Sequence, residues 1–423
     1  MLGVIRRFGL RLFAGLAGPT ARRFRAALDD PQAAQAALAG RLGELGEPRG
    51  WDEQDLSDIG RVVMSETTSG SSGPKKVVPY NRALLAAFTR SFVLQAHDLV
   101  THVPFTTGRT WMLVTPPAAG TVTDDRDYLS GWVKWLAWPY LLAPSGNAAN
   151  WQEKVVLALL RARDLEVMSA WSPTLVHVLL DVIESLGIEP RRAWPRLKVV
   201  SVWADGQAEA EAARLGERLG VWVQGKGLLA TECPMTVPLV GVEGSVPLVE
   251  DTLLELLGDD GVLRGLHEVS QGEHELVVST LGGLRRYRIG DRVRVVGRVS
   301  NTPTLKLVGR AGTSDLAGEK LSEPWVAEVL ARFALTGVLA PRADGKGYEL
   351  WTELATEGLP MALDAALCEA HHYGLARALG QLEQVRVREV EDLQAALMRV
   401  ARQEGRRLGD VKVEVLRRRR WPQ

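Results

Sequence analysis

The sequence contains little that could form a metal centre, a disulfide framework or a membrane span. Only two of its 423 residues are cysteines, Cys233 and Cys368, and they lie far apart. Neither zinc-ligand spacing nor an oxidising compartment is therefore indicated. The seven histidines form no His-Glu-x-x-His pattern, and no apolar run approaches the roughly 20 residues that cross a bilayer. These absences favour a cytoplasmic protein without an integral membrane segment.

The chain also lacks a net charge. Its 51 lysines and arginines balance 51 aspartates and glutamates, so no overall field attracts nucleic acid, and we expect no nucleic-acid partner. A serine or cysteine nucleophile with a convincing histidine partner is lacking too. The length predicts two or three domains.

The first 50 residues are predicted to be helical. Residues 1–27 are basic, and their apolar residues recur at helical spacing, which favours an amphipathic helix. An export signal and binding to an anionic membrane surface are alternatives, but we favour a helix docked on its own domain. Asp30 and Pro31 then predict the N-cap and first turn of a second helix.

A run of small polar residues at 66–76 is typical of an anion-binding loop. Glycines let the backbone approach a ligand, and N–H groups, hydroxyls and an ammonium form a nest for phosphate. The glycines are too close together for a P-loop, and a flexible linker is the alternative. A strand at 62–65 and a helix at 82–99 flank the loop, so the helix N-terminus should point at the anion. The candidate phosphate-binding residues are Thr68, Ser69, Gly70, Ser71, Ser72, Gly73 and Lys76.

Residues 151–223 alternate between helical and strand patterns, which predicts a parallel sheet. Ligands bind beyond the carboxyl ends of such strands, so the loop at 225–234 is a candidate for function. Before this region, three tryptophans repeat every three residues on one helical face, where they are either core or the wall of an apolar acyl pocket. They are Trp132, Trp135 and Trp138. Residues 238–300 have strand patterns, and the C-terminal residues 316–423 predict a small α+β unit. The arginine run at 417–420 is predicted to be a solvated tail.

Three motifs in this order resemble those of adenylate-forming enzymes, in particular the auxin- and jasmonate-type acyl-acid amido synthetases and their bacterial relatives. The first is the loop at 68–76, which continues into Val77-Val78-Pro79-Tyr80. The second is Thr231-Glu232, and the third is Tyr287-Arg288-Ile289-Gly290-Asp291. Gly309-Arg310 and the segment 318–323 are similar to the family's hinge. The resemblance covers roughly residues 60–415.

The resemblance implies a role for each matching residue. The 68–76 loop would bind the phosphates of ATP, Thr231 would lie beside the adenine, and Glu232 would help to hold Mg²⁺. Asp291, with Tyr287 in the same motif, would bind the ribose, and Arg310 would reach ribose or phosphate. Lys412 matches the lysine used for adenylation, although a lysine guarding a strand edge is an equal alternative. Cys233 stands where the family usually has glycine, which puts the local backbone in question.

The fold implied is α/β. A large adenylation domain at 51–310 would contain a parallel sheet and a β-rich part at 238–310, followed by a mobile C-terminal lid at 316–423. The activity implied is ATP-dependent ligation: a carboxylic acid is adenylated with release of pyrophosphate, and an amine, in the family an amino acid, then displaces AMP. An acyl-CoA or carrier-protein ligase is the alternative enzyme, and a non-catalytic nucleotide-binding protein is the alternative of another class.

Overall fold

The chain divides into two compact units. The first consists of Met1–Glu66 and Val77–Gly309, and the second of Thr67–Lys76 and Arg310–Gln423. The computed structural model describes residues 2–57, 59–67, 76–112, 133, 135, 137, 140–142, 151–310, 313–403, 415–417 and 419–422. Among these residues, no helix is both long enough and apolar enough to cross a membrane.

The first unit begins with two helices, α1 (Leu2–Asp29) and α2 (Pro31–Leu42). Asp30 caps α2 by accepting a hydrogen bond from the Ala33 N–H at 2.9 Å, as the sequence predicted. α1 buries one face, including Ala17, which packs with Val93 of the helix α3 (Arg82–His102). The prediction that the basic helix docks on its own domain is therefore confirmed.

A two-stranded sheet precedes α3 and is formed by β1 (Val62–Thr67) and β2 (Val77–Asn81). The next sheet has five parallel strands in the order β4-β3-β5-β6-β7. They are β3 (Arg109–Met112), β4 (Leu141–Leu142), β5 (Leu165–Ser169), β6 (Val199–Val202) and β7 (Trp222–Gly225). The helices between them are α4 (Trp151–Arg161), α5 (Pro173–Ser185), α6 (Pro190–Ala193) and α7 (Glu209–Leu219). The sheet packs on α3 through Leu99, which contacts Val167 and Val199.

The β-rich part of the first unit follows β7. Two short strands, β8 (Thr236–Val237) and β9 (Val246–Pro247), pair antiparallel. A second five-stranded sheet then has the order β11-β10-β12-β13-β14. Its strands are β10 (Thr252–Leu257), β11 (Leu263–Gly265), β12 (Glu273–Thr280), β13 (Tyr287–Val299) and β14 (Thr302–Arg310). Its apolar side chains share one core with those of α1, β2 and α3.

The second unit is a small α+β structure around a three-stranded sheet. β17 pairs antiparallel with β18, and β18 pairs parallel with β19. In chain order its elements are β15 (Thr313–Ser314), β16 (Leu321–Ser322), α8 (Glu323–Arg332), β17 (Gly337–Pro341), β18 (Tyr348–Thr352), α9 (Leu359–Leu367), α10 (His371–Ala378), β19 (Arg386–Glu389) and α11 (Leu393–Gln403). Tyr348, Leu350 and Leu367 lie in its core.

The C-terminal segment corrects one prediction, because it is not simply a solvated tail. Arg417 is 8% exposed, and Trp421 is 3% exposed. The Trp421 ring stacks on Trp351 with centroids 3.9 Å apart, and its Nε1 donates to the carbonyl of Glu349 at 2.9 Å. Burial of this indole outweighs the polarity of the arginine run, so the segment folds back on the second unit.

Candidate functional site

The predicted phosphate loop connects β1 to β2. Its residues Thr68, Ser69, Gly70, Ser71, Ser72 and Gly73 lie outside the described residues, whereas Lys76 is described and partly buried. The strand predicted before the loop is present as β1. The helix predicted at 82–99 is present as α3, which begins at Arg82, and the strand β2 lies between the loop and this helix. Val77–Asn81, with its β-branched valines, extends as a strand. That the N-terminus of α3 points at the anion stays a prediction, because the loop lies outside the described residues.

Asn81 fixes the junction between β2 and α3. Its side chain caps α3 by accepting from the Leu84 N–H at 2.9 Å. Its amide donates to the carbonyls of Ile59 and Leu281, at 2.9 and 2.7 Å. One buried side chain thus ties the junction of β2 and α3 to the residues before β1 and to those after β12.

The loop after β7 folds into a tight turn that presents Thr231 and Glu232. The backbones of Ala230 and Cys233 hydrogen-bond to each other in both directions, at 3.1 and 3.2 Å. At the base of the turn the Thr236 hydroxyl accepts from the Leu228 N–H at 2.7 Å. The turn therefore has a fixed shape, because hydrogen bonds close both its tip and its base.

Residues from all three motif regions meet at this turn. The Tyr80 hydroxyl, from the strand that follows the phosphate loop, donates to the carbonyl of Thr231. The Tyr287 hydroxyl, from the start of β13, donates to the Glu232 carboxylate at 3.4 Å. Positions that lie more than 200 residues apart in the chain, 80 and 287, thus contact consecutive residues of one turn.

Cys233 fits this turn without the glycine that the motif usually has. Its backbone does not adopt the positive φ that would favour glycine, and its side chain is fully buried in the core that includes Tyr80 and Tyr287. Burial, together with the nearby carboxylates of Glu232 and Asp291, raises the pKa of the Cys233 thiol well above its usual value. The thiol is therefore neutral and acts as a small apolar packing group.

A bulge in β13 carries Asp291. The register between β12 and β13 shifts between Glu275 and Val277, so that residues 289–291 of β13 lie opposite a single residue of β12. Gly290 has φ +85°, a conformation that favours glycine. Bulges of this kind redirect a side chain out of the regular alternation, and here Asp291 lies close enough to the Glu232 turn to affect the pKa of Cys233.

The structure describes only some of the other predicted site residues. Arg310 ends β14, but its side chain is not described, and Lys412 lies outside the described residues, as do Trp132 and Trp138. Trp135 is 86% exposed, because Val133 and Ala137, two positions to either side of it, are the residues that pack against α1. Trp135 therefore does not lie in the core, and its place in an acyl pocket with Trp132 and Trp138 stays a prediction.

The described part of the chain contains no group of three or more His, Cys, Asp or Glu side chains able to hold a metal ion by themselves. A site that relies on Glu232 would need ligands from elsewhere. Magnesium is commonly bound by one or two carboxylates together with substrate phosphates. The single buried carboxylate of Glu232, with Asp291 close by, fits that donor set.

Sequence reasoning missed a second group, at the carboxyl ends of β5, β6 and β7. The Lys226 ammonium donates to the Ser169 hydroxyl at 2.7 Å and lies 4.8 Å from the centroid of the Trp171 ring. Trp171 and Trp203 are adjacent, with ring centroids 5.8 Å apart. A signal was present in the sequence, because Ser-x-Trp occurs at the end of two neighbouring strands, in residues 169–171 and 201–203.

Comparison with known proteins finds partial matches to the GH3 family. Residues 257–310 match the model of the GH3 family central domain. A GH3 domain-containing protein of Homo sapiens is 33% identical over 166 residues, which are 33% of this chain and 29% of that protein. A probable indole-3-acetic acid-amido synthetase, GH3.6, of Oryza sativa subsp. japonica is 30% identical over 168 residues, which are 34% of this chain and 33% of that protein. This chain thus covers about a third of the length of these relatives.

Among solved structures, the acyl acid amido synthetase AtGH3.15 in complex with 2,4-DB resembles this chain with a TM-score of 0.52. The two are 16% identical, and the match covers 84% of this chain and 79% of that one. This likeness establishes the fold, a mixed α/β architecture with a parallel sheet, as predicted. The sequence matches, each over part of the chain, are to the GH3 family, which agrees with the predicted resemblance.

Proposed function

We propose that this relative of the adenylate-forming GH3 family is an ATP-dependent acyl-acid amido synthetase. The observation that carries the proposal is the turn at Thr231-Glu232, on which Tyr80 and Tyr287 converge and beside which Asp291 lies. A nucleotide needs a phosphate nest, a carboxylate for its metal and an acceptor for its ribose, and the three motifs would supply these in that order.

In the first half-reaction, an oxygen of the acid's carboxylate attacks the α-phosphate of ATP, and pyrophosphate leaves. Negative charge builds up on the phosphate in the transition state, so cations and N–H groups that face it lower the barrier. The loop of Thr68, Ser69, Gly70, Ser71, Ser72, Gly73 and Lys76 would provide such groups. Asp291 would accept hydrogen bonds from the ribose hydroxyls, a charge-assisted contact that orients the nucleotide.

Glu232 would hold Mg²⁺, which neutralises charge on the phosphate oxygens when it is bound. Tyr287 donates a hydrogen bond to this carboxylate at 3.4 Å, which orients it. Arg310, whose guanidinium always carries a charge, would contact ribose or phosphate. Thr231 would border the adenine, with its backbone position fixed by Tyr80.

In the second half-reaction an amine attacks the acyl carbon, the acyl–phosphate bond breaks and AMP leaves. Lys412 would act in the first half only, by stabilising charge at the α-phosphate. An amino acid is the amine that the family relationship favours. The proposal places no covalent enzyme intermediate on this path.

Exchange of labelled pyrophosphate into ATP tests the first half-reaction, because exchange requires reversible adenylation. We expect exchange that depends on an added carboxylic acid and is lost in Glu232→Gln. Binding of ATP without exchange for any acid would instead indicate a non-catalytic nucleotide-binding protein.

The acceptor is tested separately, since the fold is shared by enzymes that form amides and enzymes that form thioesters. With an acid that supports exchange, amino acids should accelerate AMP release and give an amide. Acceleration by coenzyme A alone would contradict the amide assignment and leave adenylation intact.

A further inference from the structure

Helix α1 carries large apolar side chains on two opposite faces. One face docks on the first unit, where Phe24 and Leu28 are buried in the core. On the other face, the side chains of Phe8, Leu12 and Leu16 are 69%, 44% and 51% exposed. Residues four apart lie on the same side of a helix. These three residues, here named the apolar strip, therefore form one surface that the fold leaves in contact with water.

The apolar strip is not what a surface helix normally presents to solvent. A helix docked by one face usually carries polar residues on the other. Helix α7 has this form, because it buries Ala212 and Leu215 and exposes Arg214 and Glu217. Exposed apolar residues gathered in one place, as on α1, are typical of a binding surface, whereas scattered ones are not.

The arginines of α1 fall into two groups. Three of them form ion pairs with carboxylates of the first unit: Arg6 with Asp164, Arg23 with Glu250 and Arg25 with Asp98. Arg11 and Arg22 are exposed, and within the part of the chain that the structure describes they form no ion pair. They lie eleven residues apart, which is about three helical turns, so both follow the same edge of the apolar strip.

The charge around the apolar strip decides what can cover it. Although the whole chain has no net charge, α1 contains no acidic residue before Asp29. A second copy of this chain on the strip would bring the arginines of two helices into one interface without a carboxylate from either, which is unfavourable. A bilayer with anionic lipids offers both an apolar layer for the strip and phosphates for the arginines.

We propose that α1 binds the surface of membranes that contain anionic phospholipids. The helix lies along the bilayer, with Phe8, Leu12 and Leu16 inserted among the lipid head groups and Arg11 and Arg22 in contact with lipid phosphates. A guanidinium suits this contact, because its planar fork pairs with phosphate oxygens. The opposite face of α1 stays docked, so the first unit is carried to the membrane. The inference goes beyond the proposed function and does not rest on the proposed adenylation.

Sedimentation with vesicles tests the proposal on the whole chain. One set of vesicles is made of phosphatidylcholine alone, and the other of phosphatidylcholine and phosphatidylglycerol in equal parts. We expect the protein to bind the anionic vesicles more tightly than the neutral ones. Added salt should weaken binding to the anionic vesicles, because it screens the attraction between the arginines and the phosphates.

Two variants separate the apolar contribution from the charged one. The triple variant Phe8→Gln, Leu12→Gln and Leu16→Gln should lower the partition coefficient on anionic vesicles at least about 10-fold, since binding scales with buried apolar area. The double variant Arg11→Gln and Arg22→Gln should lower it about 5-fold for each arginine and leave binding to neutral vesicles unchanged. All five side chains are exposed, and glutamine is a good helix former, so both variants should fold.

Matched controls come from the second unit. Met361 on α9 is 70% exposed, close to the value for Phe8, and Arg399 on α11 is exposed. Met361→Gln and Arg399→Gln should leave binding to both sets of vesicles unchanged. Thermal unfolding of every variant identifies any loss that comes from destabilisation.

Insertion of the apolar strip is measured directly with a fluorophore whose emission depends on polarity. It is attached to Leu12→Cys in a protein that also carries Cys368→Ser, because the other cysteine, Cys233, is fully buried. Anionic vesicles should shift its emission to the blue. The same label on Met361→Cys should show no shift.

Contrary results would take one of three forms. Failure of the wild type to bind anionic vesicles would overturn the inference, as would full binding by the triple variant, which would assign binding to another surface. Equal binding to neutral and anionic vesicles would overturn the role of the arginines and of the anionic lipid. A dimer in sedimentation velocity that the triple variant loses, together with no vesicle binding, would show that a second copy of the chain covers the strip.

Discussion

Glu166 in β5 is a buried carboxylate that fixes the segment leading into β3 of the parallel sheet. It accepts hydrogen bonds from the backbone N–H groups of Thr106, Thr107 and Gly108, at 2.9, 2.7 and 2.7 Å. Burial alone would raise the pKa of Glu166, but these bonds and that of the Thr106 hydroxyl lower it from 4.5 to about 2. The carboxylate therefore holds in place the chain that leads into β3.

We expect Glu166→Gln to reduce the free energy of unfolding by about 3 kcal/mol, because an amide cannot accept from all of these donors. Denaturant unfolding followed by tryptophan fluorescence measures the loss. Glu243→Gln is the control, since Glu243 is exposed, and it should change the stability by less than about 0.5 kcal/mol.

The same carboxylate predicts a pH dependence. Its pKa is lower in the folded state, so its contribution is complete above about 4.5 and is lost as the pH falls towards about 2. The wild type should lose stability faster than Glu166→Gln across this window. Parallel curves for the two proteins would contradict the assignment.

A second testable prediction concerns Asp291 and the binding of ATP. Asp291→Ala should weaken ATP binding by about 1.5–3 kcal/mol, the value of charge-assisted hydrogen bonds to the ribose. Calorimetry measures the affinity. Asp259→Ala removes another carboxylate of the same β-rich part, one paired with Arg292 at the surface, and should leave ATP binding unchanged. An unaltered affinity in Asp291→Ala would remove Asp291 from the nucleotide site.

At the scale of elements, the bulge in β13 is what separates Asp291 from an ordinary strand residue. Gly290→Ala places a Cβ at φ +85°, which costs about 1–2 kcal/mol. We also expect weaker ATP binding, because relief of this strain would displace Asp291. Gly297→Ala, in the same strand but without a positive φ, is the control. Full ATP affinity in Gly290→Ala would show that the bulge geometry is not needed.

Local patterns predicted several elements well. The cap of α2 was predicted correctly because Asp30 acts on the N–H of a residue three positions away. The two-stranded sheet β1–β2 was predicted only in part, because β2 is a five-residue strand placed directly between a polar loop and α3. The C-terminal segment was mistaken for a solvated tail because the stacking of Trp421 on Trp351 joins positions 70 residues apart in sequence.

In the candidate site, too, residues in short sequence motifs could be predicted, whereas contacts between distant positions could not. Thr231, Glu232, Tyr287 and Asp291 could be predicted because they belong to short motifs, and the structure brings them together. The group at the carboxyl ends of β5, β6 and β7 could not, because Ser169, Ser201 and Gln224 become neighbours only through the register of three parallel strands.

At the scale of the whole molecule, the division after Gly309 separates Lys412 in sequence from the nucleotide motifs of the first unit. Lys412→Ala should slow adenylation and leave ATP binding and amide formation from a supplied acyl-adenylate nearly unchanged, since its charge acts on the transition state of the first half-reaction. Single-turnover measurements of both halves make the comparison. Equal losses in both would indicate a general binding or folding role, and no loss would make Lys412 a strand-edge residue.

The central claim is that this protein adenylates a carboxylic acid at the Thr231-Glu232 turn. The most direct measurement is pyrophosphate exchange into ATP across a panel of carboxylic acids, with wild type beside Glu232→Gln and Asp291→Ala. We predict exchange that requires an acid and falls sharply in both variants. ATP binding by the wild type without exchange for any acid, or exchange that both variants retain in full, would contradict the claim.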